Sequence, residues 1–135
     1  MRWFDRDIEI RYSDSDQMGL VHNGIYPLYC EAGRTHVCEQ LGMPYHEMEK
    51  DGYFLLVAEI HGRYKAPARY GDRIYIRTAL TRLGRRLMVF EYEIRHKGSD
   101  DLIYVGSTKH VVTHGSGGAT SLPDTYWEML SKGLN

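Results

Sequence analysis

The run Tyr12-Ser13-Asp14-Ser15-Asp16-Gln17-Met18-Gly19-Leu20-Val21-His22-Asn23-Gly24-Ile25-Tyr26 sets an acid-rich turn, a glycine and a His-Asn pair directly ahead of a helix-forming segment. A helix N-terminus carries about half a positive charge and several unpaired N–H groups. A carboxylate held beside such an end can attack a carbonyl, or direct water at it, while those N–H groups polarise the carbonyl oxygen. Asp16 is the candidate nucleophile or general base, with a turn-closing role as its structural alternative. The backbone N–H groups of Asn23 and Gly24 are the candidate oxygen holders, and Asn23 can cap the helix at the same time. His22 reads as a pocket wall or water-ordering group ahead of a general acid. Asp14 reads as a solvated turn residue.

Other residue groups could also carry chemistry. Glu31 on the helix is a second candidate base, although its i,i+3 spacing to Arg34 suits an ion pair. The turn Thr81-Arg82-Leu83-Gly84-Arg85-Arg86 collects three guanidiniums at a hairpin tip. Arg82, Arg85 and Arg86 could grip phosphates through forked contacts, or simply form a solvated basic turn. His110 and His114 lie on one face of an expected strand, about 13 Å apart, too far to converge on a metal. Cys30 and Cys38 lie about 12 Å apart along one helix, beyond the roughly 7 Å that a disulfide spans. They read as buried, unreactive thiols.

These groups must be positioned by the surrounding elements. Ile8, Ile10 and Tyr12 alternate with charged residues, the period of a half-buried strand. A helix is expected from Gly24 to Leu41, stopped by Gly42 and Pro44. Its apolar face gathers Leu28, Ala32, Thr35 and Leu41, widened by Tyr29, Gly33, His36, Val37 and Cys38. Small Ala32 and Gly33 at its centre suit a sheet packed close against it. A short helix over Tyr45 to Lys50 follows, then strands over Phe54 to Ala66, Arg73 to Leu80, Leu87 to His96 and Leu102 to Thr113. The short turns between the last four imply hairpins and an antiparallel sheet. His114 to Ala119 reads as a flexible glycine-rich linker to a last helix over Pro123 to Leu130. The expected class is α+β, a five-stranded antiparallel sheet around a long central helix, in one domain over residues 1–135.

At 135 residues, 42% hydrophobic and 26% charged, the chain has an ordinary globular composition. A net charge of −1 gives no basic field for nucleic acid. No apolar run approaches the roughly 20 residues of a membrane span, and Met1-Arg2-Trp3-Phe4-Asp5 lacks a signal-peptide core. A cytoplasmic protein is expected.

Ser15-Asp16, Gly19, Leu20-Val21, Asn23 and Tyr26, followed by Tyr64-Lys65-Ala66-Pro67-Ala68-Arg69-Tyr70-Gly71-Asp72, resemble the paired signatures of hotdog-fold acyl-CoA thioesterases. The resemblance is to the 4-hydroxybenzoyl-CoA thioesterase-like (YbgC-type) branch and runs from about Asp7 to Val112. It implies hydrolysis of an acyl-CoA thioester to a free acid and coenzyme A, with Asp16 as the catalytic carboxylate. It also implies a homodimer or homotetramer with shared sites, and neither metal nor organic cofactor. Asn23 stands where many relatives carry His, which leaves the backbone role intact. Under this reading Tyr26, Tyr29, Tyr53 and Phe54 are candidate pocket aromatics, and Arg82, Arg85 and Arg86 would meet the coenzyme A phosphates. Two other activities use similar pockets. One is a non-catalytic acyl-CoA or lipid-binding regulator; the other, an enoyl-thioester hydratase, needs an Asp-x-Asn-Pro-x-His run absent here.

Overall fold

A computed structural model describes residues 1–134. Its five strands are β1 (Phe4–Ile8), β2 (Tyr53–Tyr64), β3 (Ile74–Leu83), β4 (Leu87–His96) and β5 (Leu102–His114). They form one antiparallel sheet in the order β1-β3-β4-β5-β2. The helices are α1 (Tyr26–Gln40), α2 (Tyr45–Lys50) and α3 (Asp124–Ser131). α1 packs across β1, β3 and β4 and closes the core. No helix among the described residues is long and apolar enough to cross a membrane.

The sheet follows from simple alternation. In β4, Met88, Phe90, Tyr92 and Ile94 are buried while the residues between them are partly exposed. Each such burial contributes about 1.5–3 kcal/mol. The helix lies very close to this surface at Gly33, where a Cβ would overlap Thr78 Oγ1. The expected small-residue contact is therefore real, and it falls at Gly33 on β3.

The expected helix face needs correction. Of the expected face Tyr29, Gly33, Val37, Cys38 and Leu41 are buried, joined by Tyr26, Cys30 and Arg34, whereas Leu28 is 51% exposed. A 3-10 turn over Asn23–Ile25 precedes α1, so the α-helical phase starts at Tyr26 and turns the tyrosines inward. The first strand also shifts. β1 pairs Phe4 with Thr78 through Ile8 with Ile74, and Tyr12 lies beyond it, exposed, in a 3-10 turn over Tyr12–Asp14. The glycine-rich stretch is a hydrogen-bonded turn: Gly115 N–H donates to Gly52 O at 2.8 Å, Gly117 N–H to His114 O at 2.9 Å, and Thr113 bridges Ala119.

Candidate active site

The motif loop is built around one carboxylate. Asp16 Oδ1 accepts from Met18 N–H at 2.8 Å and Leu20 N–H at 3.1 Å. Gly19 has φ +75, a left-handed conformation that glycine adopts without Cβ strain. That turn is closed by Gly19 N–H to Asp16 O at 3.0 Å and Asp16 N–H to Leu20 O at 2.7 Å. Oδ1 thus performs the turn-closing role, while Oδ2 has no hydrogen bond among the described residues. One carboxylate serves both readings.

The loop is pinned to the second signature. Val21 N–H donates to Ala68 O at 2.9 Å, Tyr70 N–H donates to Gly19 O at 3.2 Å, and Leu20 bridges Arg69. The two stretches are far apart in sequence and form one wall. Between them lies a cavity of about 580 Å³ lined by Asp16, Leu20, Val21, His22, Asn23, Tyr26, Tyr64, Lys65, Ala66 and Pro67. Its size is that of a small-molecule site. A second cavity, of about 620 Å³ and lined by Ser13, Gln17 and Arg69, opens on the other side of Asp16.

Asp16, His22, Asn23 and Tyr26 are therefore brought together. His22 caps the 3-10 turn, its Nδ1 accepting from Gly24 N–H at 3.0 Å. That bond places the proton of the neutral ring on Nε2. It also engages the Gly24 donor, so of the two expected oxygen holders only the Asn23 N–H has no acceptor among the described residues. Tyr64 Oη donates to Asn23 O at 2.7 Å and ties β2 to the helix start.

Asp14 is not a solvated turn residue. It is 1% exposed, with Oδ1 receiving Arg11 Nε and Nη2 at 3.2 and 3.0 Å. Oδ2 receives Arg11 N–H at 3.0 Å and Tyr29 Oη at 2.9 Å. Burial alone would raise this carboxyl, but the Arg11 bonds and the Tyr29 bond outweigh it and hold it below the ordinary carboxylate range. Every lone-pair direction is engaged, so Asp14 holds the loop. Its N–H-rich surroundings could not have been read from the Asp-Ser-Asp string.

Glu31 is exposed and stands 3.7 Å from Arg34 in the expected i,i+3 pair. Burial pushes the Cys30 and Cys38 thiols up to about 12, so both are inert near neutrality. His110 is buried, with Nε2 2.8 Å from Thr108 Oγ1, while exposed His114 Nε2 lies 3.2 Å from Asp51 O.

The arginine turn lies elsewhere. Tyr64 pairs with Tyr104 of β5 beside the Asp16 cavity, whereas Arg86 O accepts from Val112 N–H at 3.0 Å. The eight residue steps of β5 from Tyr104 to Val112 span about 26 Å. Arg85 is further engaged: Nη1 lies 2.5 Å from Asp124 Oδ1 and the guanidinium stacks 4.5 Å over Trp127. It docks α3. Tyr53 and Phe54 sit at this same remote end, so among the candidate aromatics only Tyr26 lines the cavity. Tyr64, quoted above only as part of the second signature, lines it as well, and its place two residues after Gly62 in a strand was the available signal.

Comparisons with known proteins identify the family. The sequence profile of the thioesterase superfamily matches residues 18–103, beginning just after Asp16. YneP of Bacillus subtilis (strain 168), provisionally an acyl-CoA thioesterase, is 32% identical over 106 residues, covering 78% of this chain and 76% of YneP. A hypothetical protein of Thermus thermophilus, TT1821, superposes with a TM-score of 0.90 at 36% identity, covering 96% of this chain and 98% of that one. A DHNA-CoA thioesterase from Staphylococcus aureus superposes with a TM-score of 0.92 at 28% identity, covering 98% and 91%. Matched by the superfamily's profile over residues 18–103 and superposing closely on a thioesterase of the same fold, the chain belongs to the thioesterase superfamily and has the hotdog fold.

Proposed function

We propose that the protein hydrolyses acyl-CoA thioesters to a carboxylic acid and coenzyme A, with Asp16 as nucleophile or general base. The observation that carries this reading is one cavity holding both the Asp16 carboxylate and Asn23, which opens the 3-10 turn leading into α1. The thioester oxygen rests on the Asn23 N–H, where the helix dipole favours the charge that develops on it. Oδ2 of Asp16 attacks the carbonyl carbon or takes a proton from the attacking water. The cavity on the other side of Asp16 supplies a route for that water. His22, fixed by its bond to Gly24, walls the cavity; a coenzyme A thiolate leaves without needing an acid.

The working unit in this proposal is a homodimer or homotetramer. β2 is an edge strand of 12 residues, and its Leu56, Val57 and Ile60 are 60%, 39% and 52% exposed. Such an edge is a template for a second strand. Antiparallel self-pairing of β2 sets its Tyr64 end against the Tyr53 end of a second copy. That arrangement brings the second copy's arginine turn toward the Asp16 cavity and removes the distance of about 26 Å that separates them within one chain.

Free-thiol release from a panel of acyl-CoA esters tests the activity. Thiol release proportional to enzyme is expected. Tight acyl-CoA binding without release would support a regulator instead, and loss of enoyl absorbance on crotonyl-CoA a hydratase.

A further inference from the structure

We infer that Tyr104 is an acyl-length stop, so that the site accepts compact acyl groups and excludes long fatty chains; this rests on the thioesterase reading above. Tyr26 and Tyr64 line the Asp16 cavity. Behind them Tyr104, 2% exposed, stacks on Tyr26 with ring centroids 5.2 Å apart and an interplanar angle of 17°. Tyr64 meets both edge-on, 5.3 Å from each ring. The three rings pack into one cluster, and a linear acyl chain whose carbonyl is held at Asn23 would run against it.

Two glycines hold this wall in place. A Cβ on Gly62 would overlap the Tyr104 hydroxyl, and one on Gly106 would stand 2.8 Å from Tyr104 Cε1. The Tyr104 ring therefore lies flat over β2 and β5 in a slot that only glycines leave open. Cys30, 1% exposed, meets the Tyr104 hydroxyl, and in this closely packed interior the ring has little room to swing aside. A short chain or a single flat ring fits against Tyr26 and Tyr64, where aromatic faces favour edge or offset contact. Each methylene that finds a buried place is worth about fourfold in binding. The wall denies that gain to methylenes beyond it.

The test compares kcat/KM for butyryl-CoA, benzoyl-CoA and decanoyl-CoA in the full chain. The wild type should prefer butyryl- and benzoyl-CoA over decanoyl-CoA by about tenfold or more. Tyr104→Ala should raise the decanoyl-to-butyryl ratio at least about tenfold, while Tyr104→Phe, which keeps the ring, should leave it unchanged. Tyr104→Leu replaces the alanine variant if that fails to fold. Adding Tyr104→Ala to Gly62→Ala should recover stability that Gly62→Ala alone loses. A wild type that prefers decanoyl-CoA, or a folded Tyr104→Ala or Tyr104→Leu with an unchanged ratio, would overturn the stop. Absence of hydrolysis across the whole panel would instead overturn the thioesterase reading itself.

Discussion

Tyr29 Oη donates to Asp14 Oδ2 at 2.9 Å, a buried bond that ties the 3-10 turn over Tyr12–Asp14 to the first turn of α1. Asp16 follows two residues later, so its position relative to the helix start depends on this tie. Burial, followed by the bond to Asp14, raises the Tyr29 hydroxyl and keeps it a donor at any working pH. Asp14→Asn weakens the acceptor and leaves Arg11 without its counter-charge. We expect a loss of about 2 kcal/mol of unfolding free energy in urea titrations, from weakened charge-assisted bonds. The remaining folded enzyme should lose under about tenfold in kcat, since Asp14 does not face the cavity.

Asp16→Asn should behave in the opposite way. The amide oxygen can still accept from Met18 and Leu20 N–H, so the loop and the melting temperature should be nearly unchanged. The charge at the second atom is gone. A fall in kcat of about 10²–10⁴-fold is expected for a positioned acid–base group, with retained substrate binding. Full activity in this variant would transfer the role to Glu31, the other carboxylate proposed for the chemistry.

The arginines of the turn should separate by function. Arg82 and Arg86 form no ion pair among the described residues, whereas Arg85 is held by Asp124 and Trp127. Replacing Arg82 and Arg86 with alanine should raise KM for acyl-CoA with little change in kcat, the pattern of lost uniform binding. A pantetheine thioester, which lacks the nucleotide, should show no such rise. Arg85→Ala should loosen α3 instead, seen as faster amide exchange over Asp124–Ser131.

His110 makes stability depend on pH. Burial, then the Arg34 guanidinium, lowers its pKa from 6.5 to about 4 in the folded chain. Between those values the unfolded chain binds a proton that the folded chain does not. Stability should therefore fall as pH drops from about 6.5 toward 4 and recover as pH rises. His110→Gln removes the titrating ring, so its melting temperature should change less than that of the wild type between pH 7 and 5. Equal slopes for the two proteins would assign the pH dependence to other groups.

Much of the architecture was legible because it depends on neighbours in sequence. The period-2 alternation of Leu87 to His96 matches β4 residue for residue, and α2 spans the expected Tyr45 to Lys50. Ser15-Asp16, Gly19 and Asn23 could be recognised as a turn leading into a helix, because turn closure and capping involve groups only two to four residues apart. What the local pattern left open was decided by contacts across the chain. Asp14 and Asp16 look alike in a string of alternating serines and aspartates, and only Arg11 and Tyr29, converging on the first, distinguish a buried anchor from a free carboxylate. The inward face of α1 depended on where the 3-10 turn ended and on Gly33 meeting Thr78. The arginine turn and the Asp16 loop both carry suggestive residues, yet the hairpin order places them at opposite ends of β5. Spacing along a chain sets which groups can meet within one turn or one strand; distance between elements is set by register and packing, which no single segment contains.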